Sequence, residues 1–301
     1  MVDVKREEER QSNQLAYYSL ALNVVLTAVK GIVGLVAHSD ALLADAAHSG
    51  ADVAGSIAVI IGIRVARRPA DADHPYGHGK AEEIAANLVA ILLILAGLDV
   101  VYSSVAGVIT LSTAPDQVAL YTAIGAMLAK EVMYHYQIRV AKRVNSPALD
   151  AGASDHRSDV YSSLAAAIGI FLSLLGKWNH LSVLLLADPI AGLIVAVVVV
   201  HIGYQLARQS YRTLMDQVLD EGSTHDMIAV AMGVEGVLRI DDLRARSFGS
   251  YIVVDIKLSV DAEATVSAGH HVAKEVKYQM MKRFHSVSDV FVHVNPYYGE
   301  E

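Results

Sequence analysis

The chain has 301 residues, 53% of them hydrophobic and 19% charged, with a formal net charge of −8. That balance excludes a large water-soluble globule, points to a membrane protein, and argues against nucleic acid as a partner. Cysteine is absent, which excludes disulfides and thiolate metal sites, so any metal must be held by His, Asp, Glu or backbone oxygen.

Residues 1–13 are polar and lack the apolar core of a secretory leader. Six apolar stretches follow, at 15–37, 41–65, 84–109, 118–138, 149–175 and 183–206. Each reaches the ~20 residues that a helix needs to cross a bilayer. Basic residues gather before the first stretch (Lys5, Arg6), after the second (Arg64, Arg67, Arg68), after the fourth (Arg139, Lys142, Arg143) and after the sixth (Arg208, Arg212). The opposite links, near His38, Leu111 and Gly176, hold one basic residue, Lys177. Positive charge stays inside, so both termini are expected in the cytoplasm. Beyond about residue 211 the period becomes that of a soluble domain. A helix is expected over 224–232, a hairpin over 237–246 and 251–260 with Gly249-Ser250 at its turn, a helix over 266–284 and a strand over 289–294. That order predicts a small open-faced α+β sandwich.

The second and fifth apolar stretches carry charge where lipid should exclude it. Asp45, His48 and Asp52 are three and four residues apart, and Asp155 and Asp159 are four apart, so each set shares one helix face. A carboxylate at bilayer depth costs roughly 2.5–3.5 kcal/mol on insertion scales. Together these groups make an oxygen- and nitrogen-rich cage for a divalent cation. The plainer alternative is a polar network that only fixes helix packing. Asn23, Lys30, Asn87 and Asp99 lie in the other apolar stretches, where interhelical hydrogen bonding or snorkelling is the expectation.

Three motifs carry a resemblance: H-S-D-A-L-L-A-D-A-A-H-S-G-A-D at 38–52, R-P-A-D-A-D-H-P-Y-G-H-G-K-A-E at 68–82 and D-H-R-S-D-V-Y-S-S at 155–163. With them the chain resembles the cation diffusion facilitator family over nearly its whole length. The resemblance implies a homodimeric, proton-coupled exporter of divalent metal in the cell membrane. Its parts would be a polar tail (1–13), a six-helix transmembrane transport domain (14–210) and a cytoplasmic metal-binding and dimerisation domain (211–301). The last is expected to be α+β, ferredoxin-like and metallochaperone-like.

The resemblance places the transport site on His48, Asp52, Asp155 and Asp159. Zn²⁺ ranks first as substrate, and Asp155, standing where many zinc exporters have His, brings Mn²⁺ or Fe²⁺ close behind. Asp45 is either an entry ligand or a helix-end group. His156, one residue from Asp155, is turned 100° away and should point off the cage. An empty cage of anions in a low dielectric should take up protons that the metal displaces, with His48 and one Asp exchanging them.

The resemblance also implies a second site in the link after the second helix, from Asp71, His74 and His78, with Asp73 in reserve. It pairs Lys80 with Asp216 as a charge interlock. In the small domain, the two-residue strand period alone puts Asp255 and His293 on the polar face of the sheet. The resemblance adds His270 and Asp241 as ligands, with Asn295 where an acid is often found. A single-ion regulatory site is expected there. The metal thus serves as substrate and regulator, and the partners are protons, lipid and a second copy. A membrane-anchored metal sensor without transport is the alternative. A metallohydrolase would need a motif such as H-E-x-x-H, which the chain lacks, so no enzyme is expected.

Overall fold

The computed structural model describes residues 2–66, 68–69, 71–110, 113–144, 147–249 and 251–299. Arg67, Leu111 and Ser250, named above, lie outside the described residues, as do Met1 and the side chains of the polar tail. The chain divides into two compact units, one formed by 1–58 and 88–207, the other by 59–87 and 208–301.

The first unit is helical. Its long helices are α1 (Val2–Val36), α2 (Asp40–Ala66), α3 (Ala81–Thr110), α4 (Gln117–Val144), α5 (Pro147–Trp178) and, after a short turn of helix α6 (Ser182–Leu185), α7 (Ala187–Leu214). The ends of α2, α3 and α7 run into the second unit. Among the described residues, five of these helices are long and apolar enough to cross a membrane by length and composition. The remaining one, α4, has 28 residues but carries Lys130, Glu131, His135 and Arg139.

Small residues set the helix spacing. Ala41 and Leu42 of α2 pack with Ala119 and Ala123 of α4 and with Ala166, Ala167 and Ile170 of α5. On its other side Ala44 of α2 meets Val100 of α3 and Val195 and Ala196 of α7. At Gly97 of α3 a Cβ would sit 2.7 Å from Val200 Cγ2 of α7, so only glycine lets these helices approach so closely. Helix α2 starts at a built cap. Ser39 Oγ accepts from the Leu42 amide at 3.2 Å, and the buried Asp188 carboxylate accepts from Ser39 Oγ at 2.6 Å and from the Asp40 amide at 2.9 Å. An anion at a helix N-terminus satisfies free amides and suits the dipole.

The second unit holds a three-stranded sheet of β1 (Arg239–Phe248), β2 (Tyr251–Asp261) and β3 (Val287–Tyr297), in that order. Strands β1 and β2 form an antiparallel hairpin, and β3 joins β2 in parallel after the crossover helix α9 (Val266–Arg283). With α8 (Glu221–Met232) in front, the order is helix, strand, strand, helix, strand. This is the ferredoxin-like pattern short of its first strand. Val254, Ile256 and Leu258 of β2 are buried against Val276 and Met280 of α9 and Met227 and Ala231 of α8. Thr265 caps α9 by accepting from the Ala268 amide at 3.2 Å. Gly249 closes the hairpin at φ +69°, a left-handed turn position that favours glycine.

Candidate metal centres

Residues of α2 and α5 from the proposed cage converge. His48 Nε2 lies 3.8 Å from Asp159 Oδ1, and the Asp52 carboxyl interacts with those of Asp159 and Asp155. His48 and Asp159 are buried, Asp52 is partly so, and Asp155 is exposed. Asp52 and Asp155 line a cavity of about 590 Å³ together with Asn23, Ser19, Gln137 and His156. The lining comes from the middle of α2 and the N-terminal half of α5, with residues of α1, α3, α4 and α7, toward the end of the bundle where the basic links lie. Among the described residues, Asp159 Oδ1 and His48 Nδ1 are buried without a hydrogen-bond partner.

Two buried lysines enter this region. Lys130 of α4, fully buried, reaches Asp159 Oδ2 at 2.5 Å and Asn23 Oδ1 of α1 at 2.6 Å. Lys30 of α1, also fully buried, bonds Asp45 Oδ2 at 2.8 Å, Ser49 Oγ at 3.0 Å and Ser163 Oγ at 2.9 Å. Asp45 in turn accepts from Ser162 and Ser163, each at 2.8 Å. The structure therefore places Asp45 in a closed ion pair. His156 turns to α1, where Nε2 meets Ser19 Oγ at 2.7 Å. The reading of the residues above passed over Lys130. The signal was there: an ammonium within a stretch of spanning length needs a carboxylate.

The loop set lies in the second unit. Among the described residues, Asp71, His74 and His78 are the one group of three whose ligand atoms all lie within 4.8 Å of one another. Asp71 Oδ1 accepts from the His74 amide at 2.7 Å and the Asp73 amide at 3.1 Å. His74 Nδ1 is 3.3 Å from Oδ1 and His78 Nε2 is 3.4 Å from Oδ2. The His74 amide holds the Asp71 carboxyl below the ordinary carboxylate value, keeping it ionised and ready for a cation. Gly77, at φ +88°, makes the bend between the two imidazoles. Tyr251 donates to the Tyr76 carbonyl at 2.9 Å, and Lys80 bonds Asp216 at 2.9 Å. One oxygen and two nitrogens leave the remaining positions of a divalent ion to water.

The sheet residues do not gather. Asp255 and His293 share the open face, but Asp255 pairs with Phe291 and His293 with Lys257. Arg246 reaches Asp255 at 3.6 Å. His270 lies on α9, which covers the other face. Asp241 falls at a β-bulge between Ile240 and Asp242. There it binds Arg239 at 2.7 Å, Ser259 at 2.8 Å and Asn295 at 2.9 Å, and the Asn295 amide lowers its carboxyl from the ordinary value.

Comparison with known proteins gives two family matches. Residues 16–215 match the family described as Cation efflux transmembrane domain, and residues 219–297 match Cation efflux protein, cytoplasmic domain. The manganese efflux system protein MneP of Bacillus subtilis (strain 168) is 39% identical over 98% of this chain and 99% of its own length. MneS of the same organism is 32% identical over 96% and 97%. The magnetosome protein MamB of Paramagnetospirillum magneticum is 32% identical over 94% of each. Among solved structures, the chain is similar to MamM-CTD 215-293, at 26% identity and a TM-score of 0.25, over 26% of this chain and 98% of that chain.

Proposed function

Since this chain belongs to the cation efflux family, a family of transporters, we propose that it is a homodimeric antiporter that exports a divalent cation, Mn²⁺ first, in exchange for protons. The observation that carries this reading is the convergence of His48 and Asp52 with Asp155 and Asp159 beside a cavity in an apolar bundle. Ligand spacing together with the resemblance ranked Zn²⁺ first. Three carboxylates with one imidazole make a hard donor set, and two relatives bear the name of manganese efflux proteins, so Mn²⁺ moves ahead of Zn²⁺ and Fe²⁺.

The ion loads through the cavity from the cytoplasmic side, meeting Asp52 and Asp155 before the buried His48 and Asp159. A cage that returns without metal keeps its anions close together, so His48 and one carboxylate take up protons and yield them to the next ion. Asp71, His74 and His78 hold a second ion near the cytoplasmic domain. Asp255, His270 and His293 stay apart within one chain, so a regulatory ion there would draw on a second copy; Asp241 is held in its bulge.

The test is metal flux into liposomes carrying the purified protein, with Mn²⁺, Zn²⁺ and Fe²⁺ in turn, with and without a pH gradient. Mn²⁺ flux with proton counterflow is expected, and Asp159→Ala should abolish it. Metal binding without flux by the intact protein would favour the sensor instead.

A further inference from the structure

We propose that Lys130 is a tethered cation that occupies the Asp159 side of the transport site between ions, and that the incoming metal must displace it. This inference rests on the transport-site reading above. The two buried lysines are built differently. Lys30 sits in a closed arrangement: it bonds Asp45, Ser49 and Ser163, and Asp45 is bonded in turn by Ser162 and Ser163. Every polar partner there is spent, as in a pair that fixes helix packing.

Lys130 sits in an open arrangement. It has Asp159 on one side and the Asn23 carbonyl oxygen, at 2.6 Å, on the other. Asp159 Oδ1 has no hydrogen-bond partner among the described residues, and His48 stands 3.8 Å from it. The carboxylate is thus half engaged by an ammonium and half turned to the cage. A lysine stem is flexible and its head is a compact point charge. When a metal takes Asp159, the ammonium can withdraw to Asn23 without leaving the protein interior.

Charge supports the same assignment. Lys30 neutralises Asp45. Three metal-bound carboxylates at Asp52, Asp155 and Asp159 together with the Lys130 ammonium would carry two negative charges, which matches one divalent cation. Lys130 therefore holds the affinity low enough for release. A site that binds too well cannot let its ion go.

The experiment is calorimetric titration of Mn²⁺ into the full-length protein in detergent at one fixed pH. A His74→Ala, His78→Ala background removes the loop ion from the count. Lys130→Gln keeps a hydrogen-bond donor and removes the charge, and the expected result is a Kd lower by roughly 10-fold or more, since a nearby like charge is gone. Lys130→Arg keeps the charge but grips the carboxylate with a fork, and roughly fivefold weaker binding is expected. A purely structural lysine would not move affinity in opposite directions. Unchanged or weaker binding by Lys130→Gln overturns the proposal. Should that variant fail to fold, unchanged binding by Lys130→Arg overturns it. Loss of all Mn²⁺ binding in the His74→Ala, His78→Ala background would instead sink the transport-site reading beneath it.

Discussion

At the scale of single residues, the fully buried ion pair Lys30–Asp45 and the exposed carboxylate Asp71 behave in opposite ways. Removing one member of a buried pair leaves the other charge uncompensated, which costs about 3–5 kcal/mol. Lys30→Met should therefore lower the melting temperature of the detergent-solubilised protein sharply, and adding Asp45→Leu should recover much of it. A single substitution with no effect on melting would deny the pair its structural role. Asp71 is solvated, so its contribution shows as local order. Its folded value is lowered, so its bonds to the loop amides are fully present above the ordinary carboxylate value and are lost only as pH falls through the lowered one. Hydrogen exchange of the His74 amide should stay slow at about pH 4, the ordinary value, and Asp71→Asn should speed it at neutral pH. Exchange at neutral pH as slow in Asp71→Asn as in the unaltered protein would mean that the carboxylate does not organise the loop.

At the scale of elements, the long helices and the small sandwich were legible because their periods are long and bounded by caps and glycines. The apolar stretch 118–138 becomes α4 (Gln117–Val144), and the expected strand 289–294 extends to Val287–Tyr297. What escaped the residue pattern is what alternation and local spacing cannot encode. A bulge between Ile240 and Asp242 takes Asp241 out of the strand period, and register puts Lys257, not Asp255, beside His293. The partners of Lys30 and Lys130 lie on other helices, so only the fold reveals them. Close approach of α3 and α7 was equally hidden, although its cause is a single missing Cβ. Gly97→Val would force a side chain into Val200 and should cost about 1–3 kcal/mol, read as a fall in thermal stability. Retained stability would show that the helices part without penalty.

At the scale of the whole molecule, one chain presents a ligand set inside an apolar bundle and a second set in the loop that leads from it. The bundle set is the cargo site we propose, in which charges too costly for lipid become useful when an ion balances them. The loop set is the more compact of the two, since its three donors already stand within 4.8 Å, whereas the bundle set is held partly by Lys130. Occupancy of the bundle by metal should therefore be accompanied by a contraction of His48, Asp52, Asp155 and Asp159 about one point. The most direct measurement is a structure of the Mn²⁺-loaded protein with the ion located by its anomalous X-ray scattering. The account predicts a peak between α2 and α5, with ligand distances to those four residues. Manganese at the loop alone, with none between α2 and α5 at saturating metal, would contradict it.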